Sequence, residues 1–239
     1  MTIQTGCIVQ ARMGSSRLPG KVMMMVEEGK PVINWVLSQL NHCKLIDKII
    51  VASTSLPEDE QIIKYVKNLG FDCFRGSSLD VLDRYYECAK EFSISNIVRI
   101  TSDNPLIDPT IVDNVITKFY SDSFDYVANC IDRTFPYGTE TEIFTFDALK
   151  TAWMNSNKPP EREHVTQYIK NNPNKFKISD IKHHQNISHL KWSVDRSEDL
   201  ELVKLISQKI KRRPILMTDI LELIKRNPNI VKLKTNAKN

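Results

Sequence analysis

The chain has 239 residues, of which 41% are hydrophobic and 26% charged, and its formal net charge is +4. This is the composition of an ordinary globular protein, long enough for one sizeable α/β domain with its own core. The mild charge argues against a nucleic-acid partner, and no apolar run is long enough to span a bilayer. Residues 1–6 also lack the basic and apolar regions of a signal peptide, so we expect a cytoplasmic protein without a membrane partner.

The cysteine and histidine patterns argue against disulfide and zinc scaffolds. The five cysteines are odd in number, widely spaced and never in a C-x-x-C pair, which predicts reduced thiols in the core. The neighbouring histidines at 183, 184 and 189 have no Cys or carboxylate at zinc spacing, so we expect no zinc site there.

Strands and helices are predicted to alternate through the first half of the chain. Short apolar runs indicate strands, and apolar positions three and four residues apart indicate helices. The predicted strands are 6–11, 48–53, 72–75 and 96–101, and the predicted helices are 31–40, 57–69, 79–92 and 110–120. This alternation favours βαβ units on a parallel sheet, whose ligands bind at the carboxyl ends of the strands. The loops after residues 11, 53, 75 and 101 are therefore the places to look for a site.

The regular alternation of strands and helices ends after residue 120. We predict strands at 126–129, 175–181 and 189–194, and helices at 161–171, 198–210 and 218–226, with a polar, turn-rich stretch at 132–142. The whole chain, 1–239, is interpreted as a single domain. Residues 131–190 have no evident place in the parallel sheet and are predicted to form a small insertion lobe that contacts an acceptor or a second subunit.

The loop after the first strand combines cations with glycines. Arg12, Arg17 and Lys21 can form charge-assisted bonds to phosphates, and Gly14 lets backbone N–H groups approach an anion closely. The spacing is neither G-x-x-x-x-G-K-[ST] nor G-x-G-x-x-G, which excludes a P-loop or a dinucleotide-binding turn. The alternative is a solvated basic loop, but two glycines and a proline are unusual in a loop that only connects two elements. We predict an anion-binding loop.

Two aspartates follow predicted strands and are candidate Mg²⁺ ligands. Asp103 lies two residues after the end of strand 96–101, where a carboxylate can face the anion-binding loop. Asp108, before Pro109, is better explained as a helix N-cap. Asp195 closes the apolar run 189–194, and Ser197 is predicted to cap the helix that follows, which would leave Asp195 free for a metal.

Several longer motifs together resemble one known family. They are the stretches 8–21 (IVQARMGSSRLPGK), 74–77 (FRGS), 80–86 (DVLDRYY), 99–109 (RITSDNPLIDP), 160–166 (PEREHVT) and 190–200 (LKWSVDRSEDL). The chain resembles the cytidylyltransferase family that includes the CMP-sialic acid and CMP-Kdo synthetases, and most of all its spore-coat polysaccharide biosynthesis (SpsF-like) branch. The resemblance covers residues 8 to about 200, in order.

The resemblance implies a three-layer nucleotidyltransferase fold, GT-A/Rossmann-like, with a mostly parallel mixed sheet flanked by helices. It implies a homodimeric enzyme that joins CTP to a sugar or sugar-acid acceptor with Mg²⁺ and releases pyrophosphate. Arg12 and Lys21 would hold the triphosphate, and Asp103 and Asp195 would hold Mg²⁺. The implied nucleotide-binding set is Gln10, Ala11, Arg12, Gly14, Ser15, Ser16, Arg17, Lys21, Arg75, Gly76, Ser77, Thr101 and Ser102.

The acceptor side is expected to lie in two segments, 137–142 and 161–164. Their mixture of charges predicts an anionic or amino-bearing acceptor, bound by Glu140, Glu142, Arg162, Glu163 and His164. A turn followed by a capped helix is the structural alternative. The sequence departs from the family pattern in two places: Thr139-Glu140 stands where a Leu-Asp pair is expected, and Ser102 replaces a usual glycine.

The expected chemistry is an in-line displacement at the α-phosphorus of CTP. Two other functions remain open from the sequence. A GT-A-type glycosyltransferase would use a nucleotide-sugar and an Asp-x-Asp-like motif, whereas Asp103-Asn104 is not Asp-x-Asp. A non-catalytic subunit that only binds nucleotide within a larger complex would not need Asp103, Asp195, Arg12 and Lys21 together.

Overall fold

The computed structural model describes residues 3–232, and residues 1–2 and 233–239 lie outside the described part. A seven-stranded mixed sheet forms its centre. In spatial order its strands are β5 (Asp72–Gly76), β4 (Lys48–Thr54), β1 (Ile3–Gln10), β6 (Ile94–Thr101), β8 (Glu142–Thr145), β7 (Tyr126–Ala128) and β9 (Ile178–Asp180). The first four strands are parallel, β8 is antiparallel to both its neighbours, and β7 pairs in parallel with β9. Strands β2 (Met25–Glu27) and β3 (Lys30–Pro31) form a separate two-stranded ribbon.

Helices cover both faces of the sheet. They are α1 (Val32–Leu40), α2 (Glu60–Asn68), α3 (Val81–Glu91), α4 (Pro109–Tyr120), α5 (Phe146–Asn155), α6 (Pro159–Glu163), α7 (Gln167–Asn171), α8 (Ser197–Lys209), α9 (Met217–Arg226) and α10 (Asn229–Lys232). The core residues of α1, α2 and α4 pack on one face, and those of α3, α5 and α7 pack on the other. Because β1 is covered on both sides, its residues form a continuous buried run rather than an alternating one. The predicted three-layer fold is therefore confirmed.

The elements predicted through residue 120 are all present, with small shifts at their ends. Helix α3 begins at Val81 rather than at 79, because the Asp80 carboxylate caps it by accepting from the Asp83 amide at 2.9 Å. The predicted helix 57–69 starts with a 3₁₀ turn, Pro57–Asp59, before α2. Asp108 is confirmed as the N-cap of α4, since it accepts from the Thr110 amide at 2.7 Å.

The second half differs more from the sequence-based expectation. Strand β8 and helix α5 were not predicted, and the predicted helix 161–171 is two short helices separated at 164–166. The predicted strand 189–194 was wrong: this stretch is extended but makes only one isolated bridge, between Tyr137 and Lys191. Residues 131–190 supply β8, β9 and the helices α5, α6 and α7. The contact that they are expected to make with an acceptor or a second subunit stays a prediction.

Among the helices that the structure describes, none is both long enough and apolar enough to cross a bilayer.

Candidate active site

A cavity of about 310 Å³ opens at the carboxyl ends of β1 and β6. Its lining brings together most of the residues expected to bind nucleotide, namely Gln10, Ala11, Arg12, Gly14, Ser15, Ser16, Arg17, Lys21, Thr101 and Ser102, and it includes Asp103, an expected Mg²⁺ ligand. A larger groove, about 590 Å³, lies at the opposite, amino-terminal edge of the sheet. We assign the site to the smaller cavity, because ligands of parallel sheets bind at the carboxyl edge and the cations converge there.

The anion-binding loop, residues 12–21, is closed by hydrogen bonds to a single peptide group. The Met13 carbonyl accepts from the amides of Ser15, at 2.8 Å, and Gly20, at 2.9 Å. Gly20 has a φ of 72°, a left-handed conformation that glycine adopts without steric cost. The closed loop holds Arg12, Arg17 and Lys21 around the mouth of one cavity.

Asp103 and Asp195 meet at the ammonium group of Lys21. Lys21 Nζ lies 2.9 Å from Asp103 Oδ2, 3.2 Å from Asp195 Oδ1 and 2.6 Å from the Val194 carbonyl oxygen. Arg17 donates a further bond to Asp195 at 2.8 Å. Two carboxylates 92 residues apart in the sequence therefore converge on one cationic centre beside the anion-binding loop.

The charge state of Asp195 is set by its neighbours. Partial burial by itself raises the pKa of this carboxyl group, but the hydrogen bond from Lys191 and the positive charges of Lys21 and Lys191 bring the pKa below its ordinary value. Lys191 Nζ lies 2.9 Å from Asp195 Oδ2. Asp195 is therefore ionised at neutral pH, with Arg17, Lys21 and Lys191 as its cationic partners.

Contacts between distant segments hold Asp195 opposite Asp103. The Val194 amide donates to the Asp103 carbonyl at 2.8 Å, and the Trp192 amide donates to the Tyr137 carbonyl at 2.9 Å. A Cβ atom added at Gly138 would lie 2.8 Å from the Ser193 backbone nitrogen, so this close approach requires glycine.

The cap of α8 differs from the predicted one. Asp199, rather than Ser197, reaches back and accepts from the amides of Asp195, at 3.0 Å, and Arg196, at 3.1 Å. The side chain of Asp195 takes no part in this cap, so it is free to face Lys21.

Two arginines in the cavity wall, Arg84 and Arg99, were missed as site residues. Arg84 is 1% exposed, and its Nη1 donates to the Ser77 carbonyl at 2.7 Å. Among the described residues no carboxylate forms an ion pair with Arg84, and its Nε has no hydrogen-bond partner. The signal in the sequence was an arginine at a core-facing position of an amphipathic helix.

Arg99 has a buried carboxylate as its partner. Its Nη1 forms an ion pair with Glu142, and its Nη2 donates to Gln10 Oε1 at 3.1 Å. Burial alone lowers the pKa of the Arg99 guanidinium, but the charge of Glu142 outweighs burial and raises it. Arg99 thus connects Gln10, in the cavity wall, to a charge inside the protein.

The predicted 75–77 segment supports the cavity from outside its lining. Arg75 pairs with Glu60 at 2.6 Å and donates to the Ser55 carbonyl at 3.0 Å. The Ser77 hydroxyl accepts from the Asp80 amide at 3.0 Å, and the Ser77 carbonyl accepts from Arg84. A Cβ atom at Gly76 would lie 2.7 Å from the Phe74 ring. These residues position the start of α3 and its arginine.

Three of the five expected acceptor residues have partners within the protein. Glu140 accepts from Arg133 at 2.6 Å and from the Gly138 amide at 2.8 Å. Arg162 bonds to Asp80 through Nε at 2.7 Å and to the Trp153 carbonyl through Nη1 at 2.8 Å.

Glu142 is the most enclosed of these three, with only 3% of the residue exposed. Besides its ion pair with Arg99, it accepts from the hydroxyls of Tyr126, at 2.5 Å, and Thr166, at 2.7 Å. The structure places it inside the domain, where an acceptor could reach it only by displacing these bonds.

Glu163 and His164 are the expected acceptor residues that line the cavity. They stand at the break between α6 and α7, next to Val165, a fully buried residue with a φ of 25°. Such a value is strained for a β-branched side chain, and strain of this kind concentrates at functional sites. At this break, residues 163 and 164 face the cavity.

A mostly parallel sheet with a cationic loop and paired aspartates at its carboxyl edge defines an enzyme of the nucleotidyltransferase class. The family model described as Cytidylyltransferase matches residues 6–227. The chain therefore belongs to the cytidylyltransferase family, which confirms the resemblance of its motifs.

Individual relatives agree with this assignment. The chain is 35% identical to an uncharacterized protein of Methanocaldococcus jannaschii, with 97% of this chain and 94% of the relative covered. It is 29% identical to the spore coat polysaccharide biosynthesis protein SpsF of Bacillus subtilis, over 93% of this chain and 94% of the relative. A 3-deoxy-manno-octulosonate cytidylyltransferase of Pelobacter propionicus is 32% identical over 48% of this chain and 44% of its own length.

A solved structure supports the fold over almost the whole chain. A cytidylyltransferase from Leptospira borgpetersenii serovar Hardjo-bovis shares 33% sequence identity and superposes with a TM-score of 0.92, covering 96% of this chain and 97% of its own.

Proposed function

We propose that this protein acts in the cytoplasm as a Mg²⁺-dependent cytidylyltransferase that joins CTP to a sugar or sugar-acid acceptor and releases pyrophosphate. The observation that carries the proposal is that Asp103 and Asp195 both bond to Lys21, a residue of the anion-binding loop that lines the cavity together with Asp103. The names of two relatives, a 3-deoxy-manno-octulosonate cytidylyltransferase and a spore coat polysaccharide biosynthesis protein, support a sugar-related acceptor.

The two aspartates fit a magnesium ion. Their carboxylate oxygens already converge on a cation, the Lys21 ammonium, and Mg²⁺ is commonly bound by one or two carboxylates with phosphate and water oxygens completing its shell. Thr101 orients Asp103 by donating its hydroxyl to Asp103 Oδ1 at 2.6 Å. When bound, the ion would neutralise phosphate charge and help stabilise the displacement.

The residues of the chain account for the remaining requirements of an in-line displacement. The acceptor oxygen forms a bond to the α-phosphorus, and the bond from that phosphorus to the bridging oxygen breaks, so that pyrophosphate leaves with the electron pair. Arg12, Arg17 and Lys21 stabilise the charge on the departing pyrophosphate. Lys21 is held by three oxygen atoms, and its release from one of them would allow it to bond to phosphate.

The acceptor side of the cavity offers proton-accepting groups and a buried cation. A hydroxyl acceptor must lose its proton, and Glu163 and His164 line the cavity where they can accept it. Arg84 is buried without an ion-pair partner among the described residues, an arrangement that is costly unless an anion completes it. An acidic acceptor would supply that anion.

The proposal is tested by measuring pyrophosphate release from CTP, UTP, GTP and ATP in turn, with a panel of neutral sugars and sugar acids. We expect release with CTP and an acidic acceptor, and its loss when Mg²⁺ is chelated. A thermal shift with each triphosphate is an independent check, because a ligand stabilises the folded state by RT ln(1 + [L]/Kd). Preference for another triphosphate, or transfer from a nucleotide-sugar, would contradict the proposal.

We also propose a homodimer, on the basis of the resemblance to the CMP-sugar synthetases. Light scattering at micromolar concentration should give twice the chain mass of 27.6 kDa. A single-chain mass under these conditions would contradict the dimer and leave the chemistry untouched.

A further inference from the structure

A buried aspartate outside the predicted motifs contacts the anion-binding loop. Asp59 is the last residue of the 3₁₀ turn Pro57–Asp59 and is 1% exposed. It occupies the N-cap position of α2, yet its side chain makes no capping bond to that helix. One carboxylate oxygen accepts instead from the Met13 amide, 46 residues away, at 2.6 Å, and the other accepts from the Thr54 hydroxyl.

Met13, whose amide Asp59 contacts, is also the residue whose carbonyl closes the loop. The Met13 carbonyl receives the amides of Ser15 and Gly20, and the Met13 amide is held by Asp59. On the other side of Arg12, the Ala11 amide donates to the Ala52 carbonyl of β4 at 3.1 Å. Strand β4 and the turn that follows it therefore hold the backbone on both sides of Arg12.

The charge of Asp59 does not by itself favour an anionic ligand. A negative charge buried beside a triphosphate site repels the ligand, and burying a carboxylate is costly unless its oxygens are hydrogen-bonded. The Met13 and Thr54 bonds meet that need, so the benefit of this residue lies in geometry. A loop that is already in its binding conformation loses less conformational freedom when the ligand arrives.

We propose that Asp59 is a positioning residue that holds the anion-binding loop, residues 12–21, in the conformation that receives the triphosphate. The inference rests on the proposed function, since it assumes that this loop binds CTP. It adds to that function a residue that lies outside the cavity lining and acts through the Met13 amide.

Calorimetric titration of CTP in the presence of Mg²⁺ tests the role of Asp59. Asp59→Ala removes both acceptor oxygens and should raise the Kd for CTP by about tenfold or more. Asp59→Asn keeps an oxygen that can accept from Met13 and should restore the Kd to within about threefold of wild type.

Asp113→Ala is the matched control. Asp113 also accepts from backbone amides of a distant loop, those of Lys44 and Leu45, at 3.0–3.2 Å, but far from the cavity. Its loss should change thermal stability and leave the Kd for CTP unchanged. A purely structural role for Asp59 would make the two alanine variants behave alike toward CTP.

The possible outcomes separate this inference from the proposed function. If wild type binds CTP and Asp59→Ala binds it equally well, the positioning role is wrong and the proposed function stands. If wild type binds no CTP, both fail. Should Asp59→Ala not fold, amide hydrogen exchange of ligand-free wild type decides: a Met13 amide protected from exchange supports the anchor, and one that exchanges as fast as exposed loop amides overturns it.

Discussion

Replacing Asp103 or Asp195 by Asn should lower turnover about 100-fold or more while leaving the fold intact. Asn has nearly the same shape but lacks the charge that a magnesium ion requires. Removing the charge of Asp195 also leaves Arg17 and Lys21 less neutralised, because both bond to this carboxylate. We therefore expect kcat to fall while the KM for CTP does not rise. Pyrophosphate release at several Mg²⁺ concentrations measures both parameters.

The control for the aspartate variants is Asp132→Asn. Asp132 forms an exposed ion pair with Lys182, and neither residue lines the cavity. This variant should keep wild-type rates. Circular dichroism and thermal unfolding would show that all three variants are folded. Near wild-type activity of Asp195→Asn at low Mg²⁺ would contradict the assignment of Asp195 as a ligand.

Replacing Glu142 by Gln should lower the free energy of unfolding by about 3–5 kcal/mol, the usual cost of removing one partner of a buried ion pair. The change keeps the shape of the side chain but leaves Arg99 charged, buried and without its carboxylate. For a chain of this size the melting temperature should fall on the order of 10 °C. Thermal and urea unfolding measure the effect. Glu140→Gln, whose side chain is 24% exposed, is the control and should cost no more than about 1 kcal/mol.

The same buried pair predicts how stability depends on acid. Burial alone raises the pKa of Glu142, but the charges of Arg99 and Lys170 and the hydrogen bonds from Tyr126 and Thr166 bring it down to about 2 in the folded protein, from an ordinary 4.5. Between these values the unfolded chain binds the proton and the folded chain does not, so stability falls as pH falls.

This contribution should be complete above pH 4.5 and lost as the pH drops from 4.5 toward 2. Comparing urea unfolding of wild type and Glu142→Gln across this range isolates it. The stability difference between the two proteins should shrink with acid. A difference that stays constant would show that Glu142 does not titrate in this way.

The sequence by itself determined the first half of the fold, the clustering of cations and glycines in residues 12–21 and the family. Buried parallel strands form continuous apolar runs and their helices show a clear spacing, so β1, β4, β5 and β6 could be predicted with small errors at their ends. Arg12, Arg17 and Lys21 lie within ten residues of one another, and a local cluster of cations and glycines is visible without knowing the fold. The motifs that carry the family resemblance are equally local.

The tertiary structure decided which distant residues meet. Asp103 and Asp195 face each other because the 190–195 segment bonds to Tyr137 and to the Asp103 backbone, and no local pattern specifies such contacts. Glu142 was expected to bind an acceptor but forms a buried ion pair with Arg99. The reason is that β8, which was not predicted, lies between β6 and β7 in the sheet. The sequence alone does not show whether a charged side chain faces solvent, a ligand or a buried partner. Its role follows from burial and from partners far along the chain, which only the packed structure sets.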